Sequence, residues 1–292
     1  GEEEPEVEQP EVLSEEMISS GLRGLAKTVD GAGFALTHLE LPEKQVADLT
    51  PLAEFKHIRY LSMPDNWVVD LKPLAAMQHL LSLDMSRNRL VNVELPALAF
   101  LQVMNLSGNR LKAVQGLAMP MLRRLNMSDN EIETVSGLDG NPALEALELH
   151  NNKLTSCEGL GIGSLKTITL TGNQIASLAG LAGLVGVAEL DLSGNAVATL
   201  EGLPAEGALA KLDLRGNRVD DIDRIDALTP VSKLVELNLA DNPIMEAGYD
   251  RVKAVRRVPG LEILNDSPVT PEEKKAAEEP EAPREPPAEP AA

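Results

Sequence analysis

One pattern of apolar and polar positions recurs along most of the chain. Its clearest copy is LLSLDMSRNRL at residues 80–90, where apolar residues fill the first, fourth, sixth and last positions and Asn88 fills the ninth. Copies follow one another at steps of 21 to 25 residues. The opening residues of repeats 1 to 10 are, in order, Leu36, Ile58, Leu80, Leu101, Leu122, Leu144, Leu165, Val187, Leu209 and Leu234. A regular period of this length predicts a stack of small units, each packed only against its neighbours.

The spacing within each repeat predicts how its backbone runs. Around the fourth and sixth positions apolar and polar residues alternate, as they do in a strand with one buried face. After the strand an Asn recurs, whose amide can bond backbone groups of the neighbouring turns, and only repeat 1 has Lys44 there instead. These amides are Asn66, Asn88, Asn109, Asn130, Asn152, Asn173, Asn195, Asn217 and Asn242. The short, Gly-containing segment that follows the Asn and leads back to the next strand, called here the convex return, is suited to a 3₁₀ turn or a loop.

The whole pattern is typical of a leucine-rich-repeat solenoid, an α/β fold. We expect about ten repeats of 21–22 residues over residues 36–241, with a short parallel sheet on the concave side and 3₁₀ turns and loops on the convex side. Residues 1–12 contain six Glu and no basic residue, and residues 266–292 are acidic and rich in Pro. Both segments are therefore predicted to be disordered tails.

A helical cap is predicted at each end of the stack. Residues 13–35 should form a helix and a turn that cover the apolar layer of repeat 1, with Ser14 as the N-cap. Residues 242–265 should form a C-terminal cap, whose helix ends before Pro259. The apolar face of the N-terminal helix is expected to carry Leu13, Met17, Leu22 and Leu25.

Composition favours a protein without disulfides or membrane spans. The only cysteine, Cys157, falls at an inward position of repeat 6, so a buried, reduced thiol is expected. No apolar run approaches the roughly 20 residues that cross a bilayer, and the acidic first residues do not resemble a signal sequence. With a formal net charge of −20, these features favour the cytoplasm or the nucleus.

No pattern of catalytic, metal-binding or cofactor-binding residues stands out from the repeats. The four histidines, His38, His57, His79 and His150, are not at metal-ligand spacing. The Gly-rich run at residues 158–165 falls where every repeat turns, and no P-loop Lys follows it in register. We therefore expect a protein that is not an enzyme, has no cofactor or metal, and binds other proteins rather than nucleic acid, a membrane or a small-molecule substrate.

The concave face of such a sheet carries polar side chains and is suited to binding another protein. Acidic residues gather toward the C-terminal half of this face. Trp67 and Arg89 share an outward position just after the Asn, where Trp67 either packs on the N-terminal helix or anchors a partner. The C-terminal helix adds a basic pair suited to an acidic partner. The candidate partner-binding residues are Tyr60, Trp67, Arg89, Arg124, Glu148, Glu189, Asp191, Asp213, Arg256 and Arg257.

Three segments at the start of the chain resemble a known family. They are LSEEMISSGLRGLAKT at residues 13–28, DGAGFALTHLELPEKQVADLTPL at residues 30–52 and HIRYLSMPDNWVVDLKPL at residues 57–74. The S-E-E-M run, the K-T before a Gly-containing turn and Lys44 in place of the usual Asn resemble the leucine-rich-repeat subunit of the axonemal radial spoke in cilia and flagella. The resemblance implies a non-catalytic structural subunit that binds other radial spoke or axonemal proteins and supports ciliary motility.

Two other classes of leucine-rich-repeat protein share the general pattern. A regulatory subunit of protein phosphatase 1 would be expected to offer several aromatic anchors on its concave face, where this chain shows chiefly Tyr60. Acidic nuclear or spliceosomal leucine-rich-repeat proteins carry long uninterrupted acidic tracts, whereas Pro and Ala break each run here. Recovery of a phosphatase catalytic subunit together with this protein at equal stoichiometry would favour the first class. A nuclear location would favour the second.

Overall fold

Ten parallel strands, one from each repeat, line the concave side of a solenoid. The computed structural model describes residues 9–28, 30–246 and 249–280. Of the fifteen strands found there, all except β6 and β8 join one sheet, and the strands from β2 to β14 in this sheet run parallel in repeat order. The strands are β1 (Leu22–Lys27), β2 (Phe34–Glu40), β3 (Tyr60–Ser62), β4 (Ser82–Asp84), β5 (Val103–Asn105), β6 (Ala113–Val114), β7 (Arg124–Asn126), β8 (Thr134–Val135), β9 (Ala146–Glu148), β10 (Thr167–Thr169), β11 (Glu189–Asp191), β12 (Lys211–Asp213), β13 (Glu236–Asn238), β14 (Ile263–Leu264) and β15 (Ser267–Pro268). The predicted leucine-rich-repeat solenoid is confirmed.

The convex side consists of 3₁₀ turns, loops and one small pair of parallel strands, β6 and β8. The 3₁₀ segments are Thr50–Glu54, Lys72–Ala76, Leu181–Gly183, Ile222–Leu228 and Pro243–Met245. The described residues contain three short α-helices, all near the ends of the chain, namely α1 (Glu15–Gly21), α2 (Arg251–Arg257) and α3 (Pro271–Glu278). None of the helices in the described ranges is long and apolar enough to cross a membrane.

Aliphatic layers fill the space between the concave and convex sides. The middle residue of each concave strand points inward, and Leu83 and Leu147 are at most 1% exposed. Leu170, just after β10, is fully buried as well. Cys157 lies in the same core, where burial raises the pKa of its thiol to about 12. The expectation of a buried cysteine is therefore confirmed.

The recurring asparagines form a ladder that ties successive repeats together. The side-chain oxygen of Asn173 accepts the backbone N–H of Leu154 at 3.0 Å, and its amide nitrogen donates to the carbonyls of Leu149 and Leu170, both at 3.0 Å. The equivalent three bonds occur at all nine positions named above. Each amide thus satisfies inward-facing backbone groups that the strands leave unpaired.

The residue before each ladder asparagine adopts a left-handed backbone. Asp129 has a φ of 54° and Gly172 a φ of 68°. Gly, Asp and Asn tolerate this region best and fill eight of the nine positions. Arg87 is the exception, and its guanidinium makes two hydrogen bonds of 2.6 Å to Asp65, which holds the same position in the previous repeat. Pairs such as D-N and G-N therefore mark the turn that follows each strand.

A glycine in the convex return allows one repeat to approach the backbone of the repeat before it. Gly180 has a φ of 102°, and a Cβ there would lie 2.4 Å from the carbonyl oxygen of Cys157. At Gly159, a Cβ would lie 2.3 Å from the carbonyl oxygen of Val135. A side chain at either position would force neighbouring repeats apart, which explains why the sequence places glycine there in successive repeats.

The N-terminal cap differs from the predicted helix and turn. Ser14 caps α1 as expected, accepting the N–H of Met17 at 3.2 Å, but the helix ends at Gly21. The chain continues as β1, which pairs antiparallel with β2. A Cβ at Gly21 would lie 2.5 Å from the carbonyl oxygen of Glu40, and the φ of +67° at Gly24 is incompatible with a right-handed helix. The two glycines therefore favour a hairpin over a longer helix.

This hairpin also changes where two leucines point. Because β2 is extended from Phe34 onward, Thr37 and Leu39 face the core and Leu36 faces the concave side. Leu36 is 40% exposed, although the opening residue of every later repeat is buried, and Leu25 on β1 is 70% exposed. The prediction that Leu25 lies on the apolar face of a helix is wrong, and Leu36, which opens repeat 1 in the sequence, does not take the buried place of its counterparts.

The C-terminal cap contains more ordered chain than predicted. Arg251 on α2 donates to Glu273 of α3 and to the carbonyl oxygen of Leu264, both at 2.7 Å. Thr270 and Glu273 form a capping box at the start of α3. Leu264 is fully buried beneath these contacts. One arginine therefore joins α2, the last parallel strand and α3.

The two predicted tails are only partly described. Residues 1–8 and 281–292 lie outside the described residues. Within residues 9–12, Glu11 forms a bridge with Val46, and its N–H donates to the carbonyl of Gln45 at 3.1 Å. Disorder is the wrong prediction for residues 266–280, because β15 and α3 lie there and pack against the cap.

Candidate protein-binding surface

Six of the ten candidate residues lie on the concave strands. Side chains alternate along a strand, so residues that flank an inward leucine point away from the core. The sheet therefore presents these six on one continuous surface, in the order in which they occur in the chain. They are Tyr60 on β3, Arg124 on β7, Glu148 on β9, Glu189 and Asp191 on β11, and Asp213 on β12.

A shallow charged depression lies over β10 to β13, at the C-terminal end of the concave face. It encloses about 410 Å³. Five carboxylates and two cations line it, so negative charge is in excess and positively charged groups of a partner are favoured. The charged residues are Glu189, Asp191, Asp213, Glu236, Asp266, Lys211 and Arg215. In the part of the chain that the structure describes, no group of three or more His, Cys, Asp or Glu residues is arranged to hold a metal ion.

Ion pairs position the two cations of this depression. Lys211 on β12 lies 3.2 Å from Glu189 on one side and 3.6 Å from Glu236 on the other. Its hydrogen bond to Glu189, followed by the charges of both carboxylates, raises the pKa of Lys211. Arg215 lies 2.6 Å from Asp213, and this hydrogen bond is the main cause of the raised pKa of Arg215. Both cations remain charged and in contact with solvent. Their ion pairs are therefore weak, and charged groups of a partner can replace the carboxylates in them.

Asp191 and Asp213 also stabilise the turn at the end of their strands. Each accepts the backbone N–H two residues further on, from Ser193 at 2.8 Å and from Arg215 at 2.9 Å. The same bond occurs in other repeats at Asp84, Asn105, Asn126 and Asn238. This local bond favours Asp or Asn at the position. The two aspartates therefore have a role in the fold as well as a place in the depression.

The N-terminal end of the concave face is apolar and aromatic. Leu25 is 70% exposed, Phe34 66%, and Leu36 and Tyr60 40% each. The His38 ring stacks on Tyr60 with centroids 4.2 Å apart and planes 12° from parallel. Strand register places Leu25 opposite Leu36 and His38 beside Tyr60, so these side chains share one surface. We call Leu25, Phe34, Leu36 and Tyr60 the N-terminal patch.

Trp67 and Arg89 contact each other at the edge of the solenoid. The guanidinium carbon of Arg89 lies 3.9 Å from the centroid of the Trp67 ring. Each residue follows a ladder asparagine, and each donates its backbone N–H to the repeat before it, to Val46 at 2.9 Å and to Val68 at 3.0 Å. The ring is partly buried, and a cation over its face is attracted to it. The pair therefore contributes to the fold, and its part in partner binding stays a prediction.

Arg256 and Arg257 turn back onto their own chain. Arg256 donates to two carbonyls near the end of α3, both at 3.1 Å. Arg257 lies 2.7 Å from Asp223 and 2.7 Å from Asp226, and its side chain is 10% exposed. These contacts attach the cap to the last repeat and leave little of either guanidinium for a partner. We therefore centre the candidate surface on the concave face and leave the role predicted for this pair as a prediction.

Several residues that line this surface were not among the ten candidates. Alternation along β12 placed Lys211 on the concave side, and the same alternation continued past the inward Leu214 was a sufficient signal for Arg215. The run FALTHL at residues 34–39 gave no such signal, because three apolar residues are followed by polar Thr37 and His38, and in the structure Thr37 is the one that is buried. Asp266 had no such signal, because it reaches the depression only through the turn that joins β14 to β15.

Comparison with known sequences identifies the leucine-rich repeat and a short match to one known protein. A family model described as leucine-rich repeats (2 copies) matches residues 120–161. A stretch of 48 residues is 44% identical to leucine-rich repeat-containing protein 23 of Xenopus tropicalis. That stretch covers 16% of this chain and 14% of the frog protein, so the match spans a small part of both.

Comparison with solved structures finds the same solenoid. The leucine-rich-repeat domain of APL1B has a TM-score of 0.60 and 26% identity, over 71% of this chain and 62% of that one. The Leptospira interrogans protein LIC12759 has a TM-score of 0.54 and 22% identity, over 78% and 72% of the two chains. TLR13, in a complex with ssRNA13, has a TM-score of 0.63 and 18% identity, over 84% and 40%. The last two likenesses concern the fold alone.

These matches agree with what the chain itself displays. A period of 21 to 25 residues, a nine-membered amide ladder and a parallel concave sheet occur together in one solenoid. Proteins built in this way are generally non-catalytic scaffolds for binding other macromolecules. The chain therefore has the leucine-rich-repeat fold, and the family model for this repeat matches two of its copies.

Proposed function

We propose that this chain is a non-catalytic adaptor of the radial spoke in the axoneme of cilia and flagella. In that role its concave face binds other spoke proteins and holds them in a fixed arrangement that supports motility. The observation that carries the binding role is the exposed concave sheet, with the acidic depression at one end and the N-terminal patch at the other. Patches of this kind on a soluble surface mark sites of association.

The build of the solenoid suits an adaptor. Neighbouring strands stand about 4.8 Å apart, so ten of them give a concave surface roughly 43 Å long. That length is enough for more than one polypeptide segment. Every ladder amide bonds backbone groups of two successive repeats, as Asn173 does with Leu149 and Leu170, so the surface resists bending at the turns. A stiff support of this length can fix the distance between two bound proteins.

The ciliary assignment is supported by the segment that leads into the repeats. Residues 13–28 and the Lys44 substitution resemble the leucine-rich-repeat subunit of the radial spoke. In this chain residues 22–27 form β1 and so extend the sheet beyond repeat 1. The part of the sequence that carries the resemblance therefore also shapes one end of the binding surface.

The assignment is tested by protein abundance in purified axonemes. We expect the protein in axonemes that carry radial spokes and its loss from axonemes in which spokes are genetically absent, while dynein-arm proteins are retained in both. Normal abundance in spokeless axonemes would overturn the proposal. Recovery with a phosphatase catalytic subunit at equal stoichiometry, or a nuclear location of a tagged copy, would assign the scaffold to a different complex.

The concave face is tested separately by reversing charge in the depression. The double variant Glu189→Lys with Glu236→Lys should fold and yet be incorporated poorly into axonemes, because it removes the excess negative charge without touching the aspartates that stabilise the turns. Glu201→Lys makes the same change at an exposed position in a convex turn and should be incorporated normally. Equal incorporation of both variants would place the binding surface elsewhere on the solenoid.

A further inference from the structure

The concave sheet ends at its N-terminal side in a long exposed strand. β1 has six residues, of which four are exposed, and it is the outermost strand on this side of the sheet. On its inner side, Leu25, Ala26 and Lys27 pair residue by residue with β2. No strand in the described residues pairs with its outer side. Such an edge offers N–H and C=O groups to an extended chain that lies beside it, apart from carbonyls that side chains already occupy, such as that of Lys27, which accepts from Arg59.

The N-terminal patch lies directly beside this edge. Leu25 belongs to β1, and Leu36 and Phe34 belong to the neighbouring strand. Leu36 holds the position that later repeats bury, yet here it is 40% exposed, and Phe34 is 66% exposed. Burying this apolar area would stabilise a complex, since association is driven by apolar surface removed from water.

Basic side chains border the patch. Arg23 and Lys27 are on the same face of β1 as Leu25, because alternate residues share a face. Arg59 reaches the same corner, where its guanidinium donates to the carbonyl of Lys27 at 2.8 Å. Arg23 lies 3.4 Å from Glu40, with both side chains at least half exposed, so solvent weakens that pair. On a chain with a net charge of −20, this corner is a local site of attraction for an acidic segment.

We propose that β1 accepts an extended segment of another protein as an added strand. Its apolar side chains cover the N-terminal patch, and its acidic side chains meet Arg23 and Lys27. A second copy of this chain fits poorly, because antiparallel pairing centred on Leu25 sets Arg23 of one copy opposite Lys27 of the other, and like charges opposite each other destabilise a strand pair. The inference rests on the proposed binding role and does not depend on the ciliary assignment.

The probe for this edge is a phage library that displays random peptides, selected on the full chain. We expect the enriched peptides to alternate apolar with acidic residues. The double variant Leu25→Glu with Leu36→Glu should weaken their binding at least about tenfold, as loss of central apolar contacts does in other interfaces. Val185→Glu alters an apolar residue of similar exposure on the convex side and should leave binding unchanged. Both sites are exposed, so the variants should melt like the parent chain.

Backbone pairing is tested with the same selected peptides. Bound peptide should slow hydrogen exchange at the amides of β1. N-methylation at the alternate peptide residues that pair with β1 should abolish binding, and N-methylation at the intervening residues should not. These two results separate an added strand from a peptide that only contacts the apolar side chains.

Several outcomes would overturn the inference. They are a failure to enrich any peptide, enriched peptides rich in Lys or Arg, equal binding to the double variant, and slowed exchange confined to β10–β13. A concentration-dependent dimer with protected β1 amides would assign the edge to a second copy instead. The abundance of the protein in spokeless axonemes is independent of all these results, so failure here and failure of the ciliary assignment are distinguishable.

Discussion

The guanidinium of Arg89 lies 3.9 Å from the centroid of the Trp67 ring and joins equivalent positions of repeats 2 and 3. Trp67 is the only tryptophan, so tryptophan fluorescence reports on the surroundings of this one ring. We expect Arg89→Ala to alter the emission of Trp67 and to lower the free energy of unfolding by about 0.5–1 kcal/mol. Arg110→Ala changes the same position one repeat later and should alter neither quantity. An unchanged emission spectrum in Arg89→Ala would contradict the contact.

The inward register of the strands is tested at Leu170, which is fully buried. Leu170→Asp places an unpaired charge in the core and should lower the free energy of unfolding by at least about 3 kcal/mol. Thr167→Lys adds a single charge on the exposed face of β10, where Glu189 is its neighbour, and should change the free energy of unfolding by no more than about 0.5 kcal/mol. Chemical denaturation of the two variants measures the difference. If Leu170→Asp unfolds like the parent, the assigned register is wrong.

The close approach of successive convex returns is tested at Gly180. Gly180→Ala adds a Cβ 2.4 Å from the carbonyl oxygen of Cys157 and places alanine at a φ of 102°, so we expect a loss of about 2 kcal/mol in the free energy of unfolding. Gly163→Ala is a matched control, because the nearest atom to its Cβ is 3.8 Å away. Thermal melting should separate the two variants clearly. Similar melting of both would show that the repeats are less closely stacked than described.

The attachment of α3 should depend on pH. The hydrogen bond from Arg251 is the largest cause that lowers the pKa of Glu273 below its ordinary value of 4.5. A carboxyl group whose folded pKa is lowered stabilises the fold above its unfolded pKa, and this contribution is lost as the pH falls through the folded value. We therefore expect the hydrogen-exchange protection factors of the α3 amides, which correct for the intrinsic pH dependence of exchange, to fall between about pH 5 and about pH 3.

Glu273→Gln removes the titrating group and should flatten this dependence. Glu272→Gln changes a neighbouring residue that makes no bond to Arg251 in the described structure, and it should retain the dependence. A pH dependence that survives in Glu273→Gln would show that another group controls the attachment of α3.

The repeats were predictable because each one repeats the same physical constraint. An inward leucine must alternate with outward polar residues, and a buried turn must satisfy its backbone groups, so Leu83 and Asn88 have counterparts in other repeats. The ends lack this repetition. Between residues 13 and 28 a helical period and a strand period both fit, and Gly21 and Gly24 decide for the hairpin through contacts that only the folded chain reveals.

The prediction of disorder after residue 265 was wrong because it rested on composition and ignored the local sequence signature of a capped helix. Residues 266–292 are acidic and rich in Pro, which is typical of disordered chain. Yet Thr270, Pro271 and Glu273 form the sequence signature of a capped helix, with Pro in the first turn and Glu three residues after the cap. The position of α3 is also stabilised by Arg251, which bonds Glu273. Arg251 is too far away along the chain for a local sequence pattern to link it to α3.

The candidate surface was predictable in part for the same reason. Alternation alone identified Glu189, Asp191 and Asp213, and the structure places them in one depression. It could not show that Arg257 is held by Asp223 and Asp226, since those contacts depend on how the cap folds back onto the last repeat. Charges that belong to the cap and charges that face a partner look alike in a sequence.

Cross-linking mass spectrometry on intact axonemes tests the central claim most directly, with Lys211 as the reporter in the concave depression and Lys112 as the convex reference. If the concave face binds other spoke proteins, Lys211 should cross-link to them, and its reactivity toward a lysine reagent should be lower in the axoneme than in the isolated chain, while that of Lys112 is unchanged. Equal reactivity of Lys211 in both states, together with no cross-link from it to another polypeptide, would contradict the claim.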